Sequence, residues 1–360
     1  MNFLRPELTE TPAATHGALD FAELEQIGLP AENALDFSVN SNPFGPSPAA
    51  RAALAATPLE RYPDRESLDL RRALAGRLAL SPEQILIGNG TAELIWLVAF
   101  ASLRAGDPVL ILGPTFGEYE RAIRLMAAIP QTCNAPASAG FSFDLPEITR
   151  WLDSASYKVV FVCNPNNPTG QVLPAGTIHA WAAARPETLF IVDEAYLAFV
   201  PGMESALQNG PANLLVLRSM TKDYALAGLR LGYAAGEPGL IRALTAVRPA
   251  WNVNALAQAA GLAALQDQAH LEITLSQLQD EKHFLLEGLA ALGFAPLSSG
   301  TQFFLVPVEN ARLFRQGLLP YGILVRDCSS FGLPAHIRIS PRTRDENLRL
   351  LAALKKIRKA

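Results

Sequence analysis

Leu214-Leu215-Val216-Leu217-Arg218-Ser219-Met220-Thr221-Lys222 joins a short apolar run to the polar residues that directly follow it. Four similar runs precede it, and each also ends at turn or polar residues: 84–87, 109–112, 159–162 and 189–192. Nearly continuous apolar runs of this length are typical of strands buried on both faces of a parallel sheet. With helical patterns between them, from about residue 50 to 235, they predict an α/β fold with a mostly parallel sheet and helices on both faces.

The pattern changes in the last third of the chain. A helical stretch from about residue 254 to 292 is followed by apolar runs at 303–306, 323–326 and 337–339 and by a C-terminal helix. These elements predict a smaller α+β domain. We therefore expect an arm with part of the small domain in 1–45, a large domain in 46–248, and an interdomain helix with the rest of the small domain in 249–360.

Composition excludes several classes of function. The 360 residues are 49% hydrophobic and 18% charged, with a formal net charge of -4 and a pI near 5.8, so we expect no nucleic-acid surface. No apolar run is long enough to cross a membrane, and the N-terminus lacks the apolar segment of a signal peptide. Three widely spaced cysteines form no metal-like pair. A globular cytoplasmic protein without a metal is the expectation.

Lys222 follows the last apolar run of the sheet, with Ser219 three residues before it and Arg230 eight residues after it. A lysine amine forms a Schiff base with an aldehyde, while a hydroxyl and a guanidinium together suit a phosphate. Pyridoxal 5'-phosphate (PLP) carries both an aldehyde and a phosphate. The spacing therefore indicates a PLP anchor, although a lone lysine is ordinarily a solvent-exposed residue.

Two strand ends offer partners for the ring of this cofactor. Asp193 ends an apolar run, where a protonated pyridine nitrogen would neutralise it; capping of the next helix is the alternative. Tyr196 could donate to the phenolic oxygen or simply belong to the core. Asn167, in the proline-rich loop 164–170, could aim its amide at the same oxygen, with ordinary turn chemistry as the alternative.

The turn Gly88-Asn89-Gly90-Thr91-Ala92-Glu93 leads from a predicted strand into a helix. The backbone N–H groups of Thr91 and Ala92 are therefore candidates for binding a phosphate. The turn lacks the third glycine of the dinucleotide fingerprint, so it is not that class of site. Phe116 follows the next strand and could stack on the pyridine ring or pack in the core.

Three further residues are candidates for the substrate. Arg338 alternates with apolar residues in a predicted strand, so its planar guanidinium could hold a substrate carboxylate or form a salt bridge. Arg326, in another predicted strand, and His16, near the N-terminus, could bind an anionic tail of the substrate.

Together these motifs resemble those of the fold-type I PLP-dependent enzymes in the class I/II aminotransferase group, from about Asp36 to the C-terminus. The resemblance implies catalysis and a seven-stranded type of sheet in a large PLP-binding domain. Lys222 would bind PLP and carry protons, with Asp193 and Tyr196 completing the catalytic group. The implied cofactor residues are Thr91, Ala92, Phe116, Asn167, Asp193, Tyr196, Ser219, Lys222, Arg230 and Tyr62. Tyr62 resembles a tyrosine that reaches the neighbouring subunit's site, which implies a homodimer with shared active sites.

Within that group the chain resembles both threonine-phosphate decarboxylase of cobalamin synthesis and histidinol-phosphate aminotransferase of histidine synthesis. Four segments favour the decarboxylase: Thr15-His16-Gly17, 35–43, 251–257 and 324–331. In that case Asn42 would lie beside the substrate. Ala18 and Asn252 depart from that pattern. We predict a phosphorylated amino acid or amine as substrate, with decarboxylation ahead of transamination. A PLP-binding protein without catalysis is a more remote alternative.

Overall fold

The computed structural model of this chain describes residue 3 and residues 5–358. Residues 1, 2, 4, 359 and 360, at the ends of the two predicted terminal segments, lie outside the described residues. The helices are α1 Pro6–Glu10, α2 Phe21–Gln26, α3 Pro48–Ala56, α4 Leu68–Leu78, α5 Gly90–Ser102, α6 Glu118–Leu125, α7 Leu145–Ser154, α8 Ala175–Ala183, α9 Pro238–Val247, α10 Ala255–Gln266, α11 Gln268–Ala291, α12 Ala311–Leu318 and α13 Arg344–Ile357. The strands are β1 Leu35–Asp36, β2 Ile85–Gly88, β3 Pro108–Gly113, β4 Ile129–Asn134, β5 Val159–Cys163, β6 Leu189–Asp193, β7 Leu214–Ser219, β8 Gly232–Gly236, β9 Phe304–Pro307, β10 Ile323–Leu324, β11 Arg326–Asp327 and β12 His336–Ile339.

A seven-stranded sheet in the order β2-β8-β7-β6-β5-β3-β4 forms the centre of the fold. Five of its strands are those predicted from the apolar runs, and the pairs among β7, β6, β5, β3 and β4 are parallel. Strand β8 is antiparallel to both of its neighbours. The sequence pattern misses β8 because its residues other than Tyr233 are glycine or alanine, and it misses β4 because this edge strand is partly polar. The α/β prediction with a mostly parallel sheet is confirmed.

Both faces of the large sheet are covered, because successive residues of its strands enter different core clusters. Phe161 and Ile191 pack with residues of α5 and α6, whereas Val160 and Phe190 pack with residues of α7 and α8. Such two-sided burial explains why these strands lack the alternation of polar and apolar residues that one-sided sheets show.

The C-terminal part forms a second, smaller sheet with the order β11-β12-β9, all antiparallel. Strand β10 was expected to join these strands. Instead it pairs in parallel with β1, with Leu35 opposite Ile323, so the N-terminal segment is fastened to the C-terminal part. The predicted C-terminal helix is present as α13, and it begins with a capping box between Thr343 and Glu346.

Within the part of the chain that the structure describes, no helix has the length and apolar character needed to cross a membrane. The same residues include no group of three or more His, Cys, Asp or Glu side chains that could hold a metal ion. The three cysteines are free and buried.

Candidate active site

A cavity of about 450 Å³ is lined by residues that follow β2, β3, β5, β6 and β7, at the carboxyl ends of these strands. Ligands of open α/β sheets bind in this position. The cavity brings together many of the residues predicted from the sequence: His16, Thr91, Ala92, Phe116, Asn167, Tyr196, Lys222, Arg230, Arg326 and Arg338.

One end of the cavity is suited to a phosphate. Thr91 and Ala92 lie in the first turn of α5, where free backbone N–H groups favour an anion. Arg230 adopts a left-handed backbone conformation with φ of 58°, and its Nη1 donates to the carbonyl of Ala227 at 3.0 Å. A Cβ on Gly90 would lie 3.0 Å from Nη2 of Arg230. Glycine at this turn therefore lets the guanidinium approach the helix start.

The hydroxyl groups near this end are arranged differently from the prediction. Ser219 Oγ and Thr221 Oγ1 share a hydrogen bond of 2.6 Å. Thr221 lines the main cavity, whereas Ser219 lines a separate cavity of about 210 Å³. The structure thus places Thr221 at the phosphate end and Ser219 beside it, as the partner of its hydroxyl.

Lys222 lies in the loop after β7, and its side chain lines the cavity. Burial, together with the nearby charges of Arg338 and Arg230, lowers the pKa of this amine to about 8, while Asp193 opposes the shift. A lysine with this pKa is partly neutral near pH 8 and can act as a nucleophile.

This shift predicts how the apo-protein takes up PLP. We expect the initial rate of the absorbance change after mixing to rise up to about pH 8 and then level off, because the neutral amine is the reactive form. A lysine with an ordinary pKa near 10.4 would still gain reactivity at pH 9.5. A rate that continues to rise steeply above pH 9 would contradict the shifted pKa, and Lys222→Arg is the control without a reactive amine.

Asp193, the last residue of β6, lies buried behind the cavity. Its Oδ1 accepts a hydrogen bond from the backbone N–H of Ala195 at 3.0 Å, and its Oδ2 accepts one from Tyr119 at 2.7 Å. Burial raises the pKa of this carboxyl to about 6, although both hydrogen bonds act in the opposite direction. A buried carboxylate of this kind is stabilised by a cationic partner.

The opposite edge of the cavity carries polar groups for a phenolic oxygen. The hydroxyl of Tyr196 lies 3.3 Å from Nδ2 of Asn40, and burial raises its pKa to about 12, so it stays protonated. Asn167 Oδ1 accepts a hydrogen bond from Nη1 of Arg338, which orients its amide. Phe116 lines the cavity and meets the ring of Tyr119 edge-on, with centroids 5.7 Å apart.

Arg338 and Arg326 supply buried positive charge next to Lys222. Arg338 Nη2 donates to the carbonyl of Ser38 at 2.7 Å, while its buried Nε has no hydrogen-bond partner among the described residues. Burial lowers the pKa of both guanidinium groups, that of Arg326 to about 10 with Arg338 as the second cause. With a pKa of about 10, Arg326 still carries its positive charge at neutral pH.

Arg326 also holds the N-terminal segment against the cavity. Its Nη1 and Nη2 donate to the carbonyls of His16 and Thr15 at 2.9 and 2.7 Å, and Nη2 also donates to Ser330 Oγ. The ring of His16 lies 2.9 Å from Oε1 of Glu118, and this contact lowers the pKa of that carboxyl. The two predicted substrate residues, Arg326 and His16, therefore lie together at one wall.

Besides Asp193 and Ser219, two more predicted residues, Asn42 and Tyr62, do not line the cavity. The side-chain amide of Asn42 is occupied, since Nδ2 donates to Thr274 Oγ1 at 2.8 Å and to the carbonyl of Asp223, and Oδ1 accepts from the N–H of Phe44. Asn42 thus braces the Lys222 loop, and its backbone N–H donates to the carbonyl of Lys222 at 2.8 Å. Tyr62 is 81% exposed and packs against Trp251, with ring centroids 4.8 Å apart and planes tilted by 32°.

Sequence reasoning missed three residues that the structure places in or beside the site: Tyr119, Asn40 and Thr221. Tyr119 comes three residues after Phe116 and belongs to the first turn of α6. This spacing puts both aromatic side chains near the same strand end, so the Phe116-Gly117-Glu118-Tyr119 pattern held a usable signal.

The residues present fit PLP. A helix start and Arg230 suit its phosphate, the Lys222 amine suits its aldehyde, a buried carboxylate suits its ring nitrogen, and the Tyr196 hydroxyl suits its phenolic oxygen. A sequence model of the family described as "Aminotransferase class I and II" matches residues 32–354. The chain belongs to this family.

Similar proteins agree with membership of this aminotransferase family. A histidinol-phosphate aminotransferase of Anaeromyxobacter sp. (strain Fw109-5) is 37% identical over 334 residues, which cover 90% of this chain and 91% of that protein. The structure of a histidinol-phosphate aminotransferase from Sinorhizobium meliloti, in complex with pyridoxal-5'-phosphate, matches with a TM-score of 0.90 and 27% identity. That match covers 100% of this chain and 98% of the other.

A second kind of neighbour belongs to the same fold group. L-threonine-O-3-phosphate decarboxylase from Porphyromonas gingivalis matches with a TM-score of 0.78 and 27% identity, over 90% of this chain and 99% of the other. The predicted family, fold-type I architecture, enzymatic nature and PLP cofactor are confirmed. The preference for decarboxylation is less well supported than transamination.

Proposed function

We propose that the protein is a histidinol-phosphate aminotransferase, which transfers the amino group of histidinol phosphate to 2-oxoglutarate. The observation that carries this proposal is the charge of the cavity. Its lining includes Lys222, Arg230, Arg326 and Arg338 but no Asp or Glu among the described residues. With Arg230 assigned to the cofactor phosphate, two guanidinium groups are left for an anionic substrate.

The features that favoured a decarboxylase have structural explanations that are independent of the bond broken. The carbonyls of Thr15 and His16 hold Arg326, and Asn42 braces the Lys222 loop. Asn252, which departs from the decarboxylase pattern, donates to Oε2 of Glu93 at 2.6 Å. Since these contacts do not distinguish the reactions, the likeness to histidinol-phosphate aminotransferases is what supports transamination over decarboxylation.

The side chains have separate tasks in this reaction. Bound PLP draws electrons from the bonds at the amino-bearing carbon of the substrate. Lys222 Nζ would take the proton from that carbon, while Arg338 and Arg326 would hold the substrate anion so that the carbon–hydrogen bond is the one exposed to the amine. Asp193 would pair with the ring nitrogen. Tyr196 and Asn167 would hold the phenolic oxygen, and Phe116 would cover one face of the ring.

A paired assay tests the proposal. We expect efficient turnover with histidinol phosphate plus 2-oxoglutarate, and little release of CO2 from O-phosphothreonine in the absence of an oxo acid. Coupled detection of glutamate measures the first reaction, and trapped CO2 measures the second. Release of CO2 from phosphothreonine without turnover of histidinol phosphate would instead establish the decarboxylase.

We also propose a homodimer in which Tyr62 serves the partner's site. Tyr62 and Trp251 form an exposed aromatic pair, as at many interfaces, and within this chain Tyr62 does not line the cavity. Lys222→Ala and Tyr62→Ala should each be deficient alone. After subunit exchange, a mixed dimer would hold one intact site, so an equal mixture should recover about a quarter of wild-type activity. Activity equal to the mean of the two variants would exclude shared sites.

A further inference from the structure

Tyr119 is a fully buried tyrosine whose ring and hydroxyl have different partners. The ring stacks on Phe161 of β5, with centroids 4.9 Å apart and planes 15° apart, and it meets Phe116 edge-on. The hydroxyl donates to Oδ2 of Asp193 at 2.7 Å. Phenylalanine would preserve both ring contacts, so packing alone does not account for a tyrosine at this position.

The hydroxyl acts on the one carboxylate that the reaction uses. Burial in apolar surroundings makes the Asp193 anion costly, and a hydrogen bond donated to the anion offsets part of that cost. Burial also raises the pKa of Tyr119 well above its usual value, so the hydroxyl remains a donor at every pH at which the enzyme would work. Donors to an ionised acceptor form the stronger class of hydrogen bond.

The orientation of the Asp193 carboxylate is fixed as well as its negative charge. With Oδ1 held by the N–H of Ala195 and Oδ2 by Tyr119, both carboxylate oxygens are anchored from known sides. We propose that Tyr119 is a positioning residue of this enzyme: its hydroxyl holds Asp193 as an oriented anion, ready to pair with the cofactor ring nitrogen. This inference rests on the role assigned to Asp193 in the proposed function.

The neighbourhood of Asp193 contains other titratable groups, from its own strand end and from the elements packed against it. They are Tyr119 of α6, Cys163 of β5, Glu194 and Tyr196 after β6, and Lys222 after β7. Burial raises the pKa of Cys163 and of Tyr196 to about 12, so neither ionises near neutral pH. Glu194 is paired with Arg218 at 2.7 Å. Burial places the pKa of Asp193 at about 6 and that of Lys222 at about 8, so both groups can change charge near neutral pH.

Tyr119→Phe is the test, with Tyr157→Phe as the matched control. Tyr157 is also buried, and its hydroxyl donates to Gln131 Oε1 at 2.8 Å, away from the cavity. We expect Tyr119→Phe to lower kcat about 10- to 100-fold, the range expected for a hydrogen bond to a charged group, with little change in KM. The control should retain nearly full kcat. Equal losses in the two variants would overturn the proposal.

A second measurement uses the apo-protein and is independent of substrate. The folded pKa of Asp193, about 6, lies above its unfolded value, so ionisation costs stability as pH rises through this range. The hydroxyl offsets that cost only once the carboxyl is ionised. Tyr119→Phe should therefore lower the unfolding temperature more at pH 8 than at pH 5, whereas Tyr157→Phe should show the same loss at both.

A double-mutant cycle completes the test. In an Asp193→Asn background, Tyr119→Phe should lose its extra, pH-dependent cost, because no anion is left to hold. A cost that persists there, or that does not depend on pH in the wild-type background, would show that the hydroxyl acts elsewhere. If wild-type protein fails to turn over histidinol phosphate, the proposed function fails, but the apo-protein result still decides whether Tyr119 holds the Asp193 anion.

Discussion

Replacing Lys222 with alanine is expected to lower turnover by about 10⁴-fold, since both the covalent anchor and the proton carrier disappear together. The amine lies in the cavity with a lowered pKa, and no second lysine lines that cavity among the described residues. Turnover should be measured with excess PLP, so that loss of chemistry is separated from loss of cofactor.

Two controls sharpen this result. Reduction of the wild-type holoenzyme with borohydride should fix PLP to Lys222, which peptide mass mapping would locate. Lys282 is a matched lysine, since burial also lowers its pKa, but its Nζ donates to the carbonyl of Ser299 at 2.8 Å outside the cavity. Lys282→Ala should keep the label at Lys222. Label at Lys282, or turnover of the Lys222 variant within tenfold of wild type, would overturn the assignment.

Arg338→Ala should raise KM for histidinol phosphate by about 30- to 4,000-fold, the range for truncating one partner of a buried charged pair. Arg338 is buried, and its Nε has no hydrogen-bond partner in the part of the chain that the structure describes. The rise in KM should occur only for substrates that carry the phosphate. The ratio of kcat/KM for histidinol phosphate to that for histidinol, which lacks the phosphate, should therefore fall in this variant.

Controls separate this role from a structural one. Arg338→Lys keeps the charge but loses the planar fork that reaches Asn167 and Ser38, so it should be intermediate. Arg344, whose Nε lies 3.1 Å from Glu281 Oε1, supplies a matched arginine outside the cavity. Arg344→Ala should leave the substrate ratio unchanged. An unchanged ratio in Arg338→Ala would place the substrate phosphate elsewhere.

Much of the fold was predictable because its strands are buried on both faces. Continuous apolar runs such as 159–162 and 189–192 identify such strands without help from other parts of the chain. Strand β8, Gly232-Tyr233-Ala234-Ala235-Gly236, has no continuous apolar run. It forms a strand because it pairs with β2 and β7. The pairing of β10 with β1 is likewise a tertiary choice that local pattern does not encode.

The site shows the same division. Lys222 and Asn167 were predictable because each sits in a distinctive local motif directly after a strand. The sequence does not predict which way a side chain in a loop points. Asn42, for example, points toward Thr274 of α11, 232 residues away in sequence. Tyr119 was missed because its importance depends on the distance of its hydroxyl from Asp193 across the fold, which spacing along the chain does not give.

The contact between Arg338 and Ser38 has a consequence for how the protein is made. It joins residues 300 positions apart, and β1 pairs with β10 across a similar span. During synthesis, the five parallel strands can assemble from residues 108–219 while the ribosome is still adding the C-terminal third. The part of the cavity that contains Arg338 and Ser38 can form only after nearly the whole chain has been synthesised. A nascent chain stalled before residue 338 would therefore carry Lys222 without Arg338, the arginine proposed to bind the substrate anion.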